Sequence, residues 1–131
     1  MPTQARPFLM FTGQAEAAMT RYVSLFADGR VLELRRYGAE GPGPEGTVMV
    51  ARFCVAGLEI MCSDSHVQHA FGFTPSMSLF VDCADEVQVD ALATQLAEGG
   101  SVLMPLDDYG FSRRFAWVAD RFGVSWQLNL P

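Results

Sequence analysis

Four side chains able to bind a metal or move a proton fall within one stretch of eight residues: Cys62, Asp64, His66 and His69. His66 and His69 are the only histidines of the chain, so proton transfer near neutral pH looks first to them. Two histidines three apart share one face of a helical turn, and a thiol and a carboxylate beside them complete a possible ligand set. The same residues read equally as contacts to a substrate. They also read, most plainly, as polar groups of a connecting loop with one imidazole hydrogen-bonded to the backbone. Cys54, Cys62 and Cys83 form an odd set without C-x-x-C spacing, which suits buried reduced thiols.

Further candidates are scattered. Arg113 and Arg114 are consecutive in an expected strand, so one faces each side of the sheet. An inward Arg114 would clamp a carboxylate or phosphonate through two parallel hydrogen bonds; the alternative is a salt bridge at the rim. The run Asp107-Asp108-Tyr109-Gly110-Phe111 reads as a lid-like loop that brings Tyr109 to a ligand. Glu59 and Asp82 lie on or beside strands, either as bases or as parts of a solvated face. Ten Phe and seven Met are a heavy loading for 131 residues. Phe11, Trp117, Met10, Met49, Met61, Met77 and Met104 fall in or beside expected strands. A cup lined by such side chains suits a hydrophobic or aromatic ligand, although core packing accounts for most of them.

The elements that would position these residues are written twice. At an offset of 70, Leu9-Met10-Phe11 lies over Leu79-Phe80-Val81, Glu16 over Glu86, Phe26 over Leu96, and Ala27-Asp28-Gly29 over Ala97-Glu98-Gly99. One repeat offset with two copies implies a pseudo-symmetric pair of supersecondary units. In the first copy, Pro7 to Phe11 reads as a strand. Ala15, Ala18, Met19, Tyr22, Val23 and Phe26 form one apolar helical stripe, which Asp28-Gly29 ends. Val31 to Tyr37 is a strand whose Val31 and Leu32 are expected in the core. Gly38 to Gly46 holds four glycines and two prolines and must be a loop. Thr47 to Val55 and Leu58 to Ser63 form a hairpin across Ala56-Gly57.

Asp64 to Pro75 connects to the second copy. There, Met77 to Asp82 is a strand and Asp85 caps a helix through Glu98, with Gln88 placed for a capping box. Ser101 to Leu106 is a strand ended by Pro105. Ser112 to Ala119 and Val124 to Leu130 flank the turn Asp120 to Gly123. The pattern predicts an α+β fold of two β-α-β-β-β modules with mixed sheets: one domain over 1–131, with modules at about 7–63 and 76–131 joined by 64–75.

Composition bounds the partners. Net charge is −6, and all nine basic residues are arginine. Nucleic acid and anionic membranes need clustered Lys and Arg, so neither is expected as a partner. No run approaches the roughly 20 apolar residues of a membrane span, and Met1 to Arg6 lacks a signal-peptide core. A cytoplasmic location is the expectation.

Several runs together resemble the PhnB-like branch of the vicinal oxygen chelate superfamily, the glyoxalase/bleomycin-resistance/dioxygenase group. They are Pro7-Phe8-Leu9-Met10-Phe11, Arg36-Tyr37-Gly38 before Gly41 to Gly46, Met77-Ser78-Leu79-Phe80-Val81, and Trp117 to Gln127. The resemblance covers nearly the whole chain. It implies two curled four-stranded sheets whose concave faces hold ligand, and a homodimer. It places Gln127 facing inward, where its amide would meet a bound carbonyl or hydroxyl or else tie strands together. Trp126, next on the strand, should then face the opposite way.

Metal-dependent members take ligands from the first and last strands of each module. Those positions fall near Pro7 or Phe8, at Ser76, between Glu59 and Ser63, and at Gln127. At least three of the four lack a strong ligand, so neither a metal nor another cofactor is expected. Members of this branch often carry the label of a ubiquinone-pathway methyltransferase. Such an enzyme needs a longer parallel sheet and a glycine-rich turn after its first strand, and this chain has Thr12-Gly13-Gln14-Ala15 there. The expected function is metal-independent binding of a hydrophobic or aromatic small molecule. Its candidate contacts are Gln127, His66, His69, Cys62, Arg114, Trp117, Tyr109 and Phe11, with no catalytic residue assigned. The alternative is a divalent-metal-dependent lyase, isomerase or dioxygenase-like enzyme.

Overall fold

The computed structural model describes residues 1–131. The first unit, Met1–His69, runs β1 (Phe8–Phe11), α1 (Ala15–Leu25), β2 (Arg30–Arg36), β3 (Val48–Val55) and β4 (Leu58–Asp64). The second, Ala70–Pro131, runs β5 (Ser78–Asp82), α2 (Glu86–Ala97), β6 (Ser101–Asp107), β7 (Arg114–Ala119) and β8 (Ser125–Leu130). Each unit is β-α-β-β-β with a four-stranded mixed sheet, ordered β1-β4-β3-β2 in one and β5-β8-β7-β6 in the other. The helical crossover leaves the first and last strands of each unit parallel, while short turns leave the other pairs antiparallel.

The repeat is deeper than the 70-residue offset suggests. Phe8 pairs with Met61, and Ser78 pairs with Ser125. The offset is therefore 70 at the first strand and 64 at the last. The long glycine-proline loop between β2 and β3 has a shorter counterpart between β6 and β7, which breaks the sequence register while the topology persists. Even the irregularities recur. The ladders slip between Val31 and Glu33 and again between Val102 and Met104, leaving Leu32 and Leu103 as bulged residues on edge strands.

In each unit one sheet face is covered by the helix. In the first, Ala15, Ala18, Met19 and Tyr22 of α1 are buried with Ala51, Phe53, Ile60 and Cys62, and the Tyr22 and Phe53 rings lie 6.2 Å apart. In the second, Val89, Leu92, Ala93 and Leu96 of α2 are buried with Ala116, Val118, Trp126 and Leu128. Along β3, β4, β7 and β8 the residues between these core positions face the other way.

The helix starts differ. Asp85 caps α2 locally, accepting from the Gln88 N–H at 2.8 Å, while Gln88 Oε1 accepts from the Ala84 N–H at 2.7 Å. At α1 the residue before the helix, Gln14, makes no side-chain cap. The cap comes instead from β4. Asp64 Oδ1 accepts from the Gly13 and Ala15 N–H groups at 2.8 and 2.9 Å, and Oδ2 accepts from the Val48 N–H at 2.9 Å. One carboxylate thus ties the starts of α1 and β3 to the end of β4, which reaches Asp64 rather than stopping at Ser63.

Two expectations are corrected. Val31 and Leu32 are not core residues; they are 45% and 37% exposed. They lie on an edge strand, while α1 packs mainly over β3 and β4. Pro105 does not end its strand, which continues to Asp107. An edge strand with a register slip between Met104 and Asp107 has no ladder bond for the missing proline N–H to supply.

Two glycines are required by close approach. A Cβ on Gly29 would lie 2.0 Å from the Val23 carbonyl oxygen, and one on Gly100 would lie 2.1 Å from that of Ala119. Gly100, not Gly99, is therefore the steric counterpart of Gly29.

Candidate functional site

The face of the second sheet turned away from α2 carries Phe80, Phe115, Trp117, Gln127 and Asn129. Strand register sets Gln127 beside Phe80 of β5 and Trp117 of β7, and Asn129 beside Asp82 and Phe115. The Trp117 indole N–H donates to Ser125 Oγ at 2.8 Å, and Ser125 Oγ lies 2.7 Å from Ser78 Oγ, which fixes the indole plane. Phe80 is exposed, with its ring 6.4 Å from Phe115. The loop after β6 folds onto the same face: the Phe111 ring meets Phe115 edge-on at 5.0 Å, and the Tyr109 ring does so at 6.1 Å. Tyr109 Oη donates to the Pro105 carbonyl at 2.5 Å, which pins the loop. The half-buried Gln127 amide makes no hydrogen bond within the chain.

The sequence-derived candidates separate into three groups. Gln127 and Trp117 share this face as neighbours, and Tyr109 is brought to it by the loop. Cys62, Phe11 and Arg114 are not on an open face. Cys62 is fully buried and Phe11 nearly so, both packed under α1. Burial, with a smaller push from the Asp64 charge, raises the Cys62 thiol to about 12, so it is no thiolate at neutral pH. Arg114 faces α2, donating to Asp90 Oδ1 at 2.8 Å with Glu86 at 3.8 Å. Of the two readings of Arg114, the structure shows the ion pair.

His66 and His69 lie after β4 in the first unit. His66 is exposed, edge-on to Tyr37 at 6.3 Å, and lines a pocket of about 190 Å³ with Thr12, Pro44, Thr47, Asp64, Val67 and Gln68. His69 Nε2 lies 2.9 Å from Ser65 Oγ. The four-residue ligand set does not assemble: Cys62 points into the core and both Asp64 oxygens hold backbone N–H groups.

Strand register also relocates the superfamily's ligand positions. Pro7 and Phe8 correspond to Met77 and Ser78, not Ser76, and Gln127 corresponds to Ser63. Phe8, Ser63, Ser78 and Gln127 contain no imidazole, carboxylate or thiol, so this donor set does not fit a divalent metal.

The open face of the first sheet carries an ion-pair ladder that the sequence did not announce. Arg52 bridges Glu33 at 3.0 Å and Glu59 at 3.2 Å; Glu33 also meets Arg35 at 2.8 Å, and Glu59 pairs with Arg6. The Arg52 hydrogen bond holds the Glu33 carboxyl below its usual range, and Glu33, then Glu59, raises the guanidinium. Glu33 and Arg35 on β2, Arg52 on β3 and Glu59 on β4 were the available signal. It could be read only with the register in hand.

Two β-α-β-β-β units, each a mixed sheet with one helix-covered and one open face, are the glyoxalase/bleomycin-resistance fold of the vicinal oxygen chelate superfamily. A glyoxylase/bleomycin resistance protein/dioxygenase domain from Frankia superposes with a TM-score of 0.65 at 16% identity, over 99% of this chain and 92% of that one. Within the superfamily, the chain belongs to the PhnB-like family described as 3-demethylubiquinone-9 3-methyltransferase, whose sequence profile matches residues 3–129. A Bacillus cereus PhnB protein assigned the same description is 49% identical, with a TM-score of 0.95 over 98% of this chain and all of that one. A Pseudomonas aeruginosa protein is 30% identical, with a TM-score of 0.85 over 98% of both chains. No curated protein matches the sequence.

Proposed function

We propose that this protein binds a hydrophobic or aromatic small molecule on the open face of its second sheet, without a metal and without turning it over. The observation that carries this reading is the Gln127 amide, unbonded within the chain and set between Phe80 and Trp117. Aromatic walls with one convergent polar group are the usual make-up of a small-molecule site. Methyl transfer fits poorly. The N–H groups at the start of α1, where a cofactor phosphate or carboxylate would seat in a nucleotide-binding fold, are occupied by Asp64. A homodimer in the cytoplasm completes the reading; no helix is long and apolar enough to cross a membrane.

The test is a thermal-shift screen against neutral aromatic compounds, followed by calorimetric titration of any hit. A ligand selective for the folded state at 100 times its Kd stabilises by about 2.7 kcal/mol. Trp117→Leu should abolish that shift, and Gln127→Leu should weaken binding about ten-fold, the value of one net hydrogen bond to a neutral group. A shift that survives both variants, or stoichiometric Mn, Zn, Fe or Ni in the purified protein that is lost in His66→Ala, would overturn the reading in favour of a metal-dependent enzyme.

A further inference from the structure

Gln127 lies on β8, the strand flanked by β5 and β7, and its amide is free at both ends. Neither Oε1 nor Nε2 pairs within the chain, and neither is shut away from water. The neighbouring rings explain why it stays open. Phe80, beside it on β5, meets Phe115 across β8 with ring centroids 6.4 Å apart, at the level of the buried Asn129. Trp117, beside it on β7, is drawn the other way, its indole N–H donating to Ser125 Oγ at 2.8 Å. The rings diverge along β8, one toward residue 129 and the other toward residue 125, and the amide lies between them.

A primary amide carries donors and an acceptor in one plane, and with neither end claimed it can turn to present them in either order. The other polar groups nearby are spent on one another: Ser125 Oγ receives the Trp117 N–H and lies 2.7 Å from Ser78 Oγ. On the open face of β5, β7 and β8 the only charge is the Asp82 carboxylate, since the chain has no lysine and Arg114 faces α2. Arg113, just before β7, donates to the Pro131 carbonyl at 2.7 Å. Neighbouring strands lie about 4.8 Å apart, so the Phe80 and Trp117 side chains rise about 9.6 Å apart on either side of β8. A flat ring needs about 3.5–4 Å to each wall, so it fits between them when it stands on its edge.

Resting on the binding reading above, we propose that the ligand is a neutral, flat aromatic lactam that stands between Phe80 and Trp117 with its N–H and C=O edge on Gln127. The lactam N–H donates to Oε1 while Nε2 donates to the lactam carbonyl, so both ends of the amide are satisfied by one edge of one molecule. An ester carbonyl in the same place satisfies the N–H₂ end alone. A carboxylate there sets an oxygen against Oε1 and finds no cation on these strands to offset the water it gives up.

The experiment titrates the full chain at pH 7 with three probes of similar shape: isoindolin-1-one, a lactam; phthalide, the lactone in which oxygen replaces its N–H; and 2-methylbenzoate. The lactam should bind about ten-fold more tightly than the lactone, the value of one hydrogen bond, and the carboxylate most weakly. Gln127→Leu removes the amide and should bring lactam and lactone within about two-fold of each other. That variant breaks no bond within the chain, and the lactam–lactone comparison in the parent protein tests the assignment without any variant. Equal binding of lactam and lactone, both lost in Trp117→Leu, overturns the lactam assignment and leaves the aromatic site standing. A lactam preference that survives Gln127→Leu, or tightest binding of the carboxylate, overturns it as well. If no probe binds, the lactam assignment and the site fall together.

Discussion

Replacing Asp64 decides between two meanings of the residue that sits beside the histidine-bearing segment. If Asp64 is a cap, Asp64→Ala strips the acceptor from three backbone N–H groups at once. Those of Ala15 and Val48 are buried, while that of Gly13 is partly exposed and can find water. A buried donor left unpaired costs about 1–3 kcal/mol, so the two buried groups cost about 2–6 kcal/mol together. For 131 residues the unfolding entropy near the midpoint is about 0.28 kcal/mol/K, so Tm should fall by roughly 7–20 °C. Asp64→Asn retains one oxygen for Gly13 and Ala15 and faces Val48 with an amide N–H₂. It loses a single acceptor and should cost about 1–3 kcal/mol, or roughly 4–11 °C. Calorimetric unfolding of the three proteins, with and without a divalent cation, reads both effects. If Asp64→Ala melts within about 2 °C of the parent, or a cation stabilises the parent and not the variant, the capping argument is refuted and a metal role takes its place.

Native protein treated with iodoacetamide at pH 7.5 should take up label at Cys54 alone, since Cys54 is partly exposed and Cys62 and Cys83 are buried with thiols raised chiefly by burial; intact mass should show all three modified only after denaturation. Gly100→Ala drives a Cβ to 2.1 Å from the Ala119 carbonyl oxygen and should cost about 1–3 kcal/mol, whereas Gly72→Ala, with nothing within 4 Å, should leave Tm near the parent value. Asp28 accepts from the Ala56 and Gly57 N–H groups, both at 2.8 Å, and the Gly57 bond, then the Ala56 bond, holds its carboxyl below the ordinary range. Its stabilisation is therefore full above the unfolded value near 4 and lost as pH falls through the lower folded value. Urea unfolding from pH 7 to pH 2 should show a shallower acid decline for Asp28→Ala than for the parent.

The fold was legible because two periodicities and the repeat agreed. A helical stripe placed α1, the Asp85 and Gln88 cap placed α2, and glycine-proline clusters placed the turns. What escaped was set by partners distant in sequence. Nothing local marks Asp64 as the cap of α1, because the groups it holds lie 16 to 51 residues away. Phe11 and Cys62 have the right chemistry for a ligand contact, yet side-chain alternation directs both under α1. Arg114 and Trp117 belong to the same strand at an odd spacing and so face opposite ways; only the packing of α2 shows which of those faces is covered. Of the site, Gln127 and Trp117 were reachable from sequence.

The two units share a scaffold and differ in what their open faces leave undone. On the first, every charge of the Arg6-Glu59-Arg52-Glu33-Arg35 series has an opposite neighbour. A ligand arriving there must break an ion pair, and the part-buried partner it abandons then loses its compensation. On the second, nothing comparable must be undone. The half-buried Gln127 amide lacks a side-chain partner, so a ligand adds a hydrogen bond there without removing one. On the proposed reading, that asymmetry puts binding on one copy of the duplicated module and structural support on the other. It also fixes how variants should sort. Glu33→Gln should lower stability and leave the affinity of an aromatic probe unchanged, whereas Trp117→Leu should do most of its damage to affinity. If Glu33→Gln changes probe affinity as strongly as Trp117→Leu does, the division of labour between the copies is wrong.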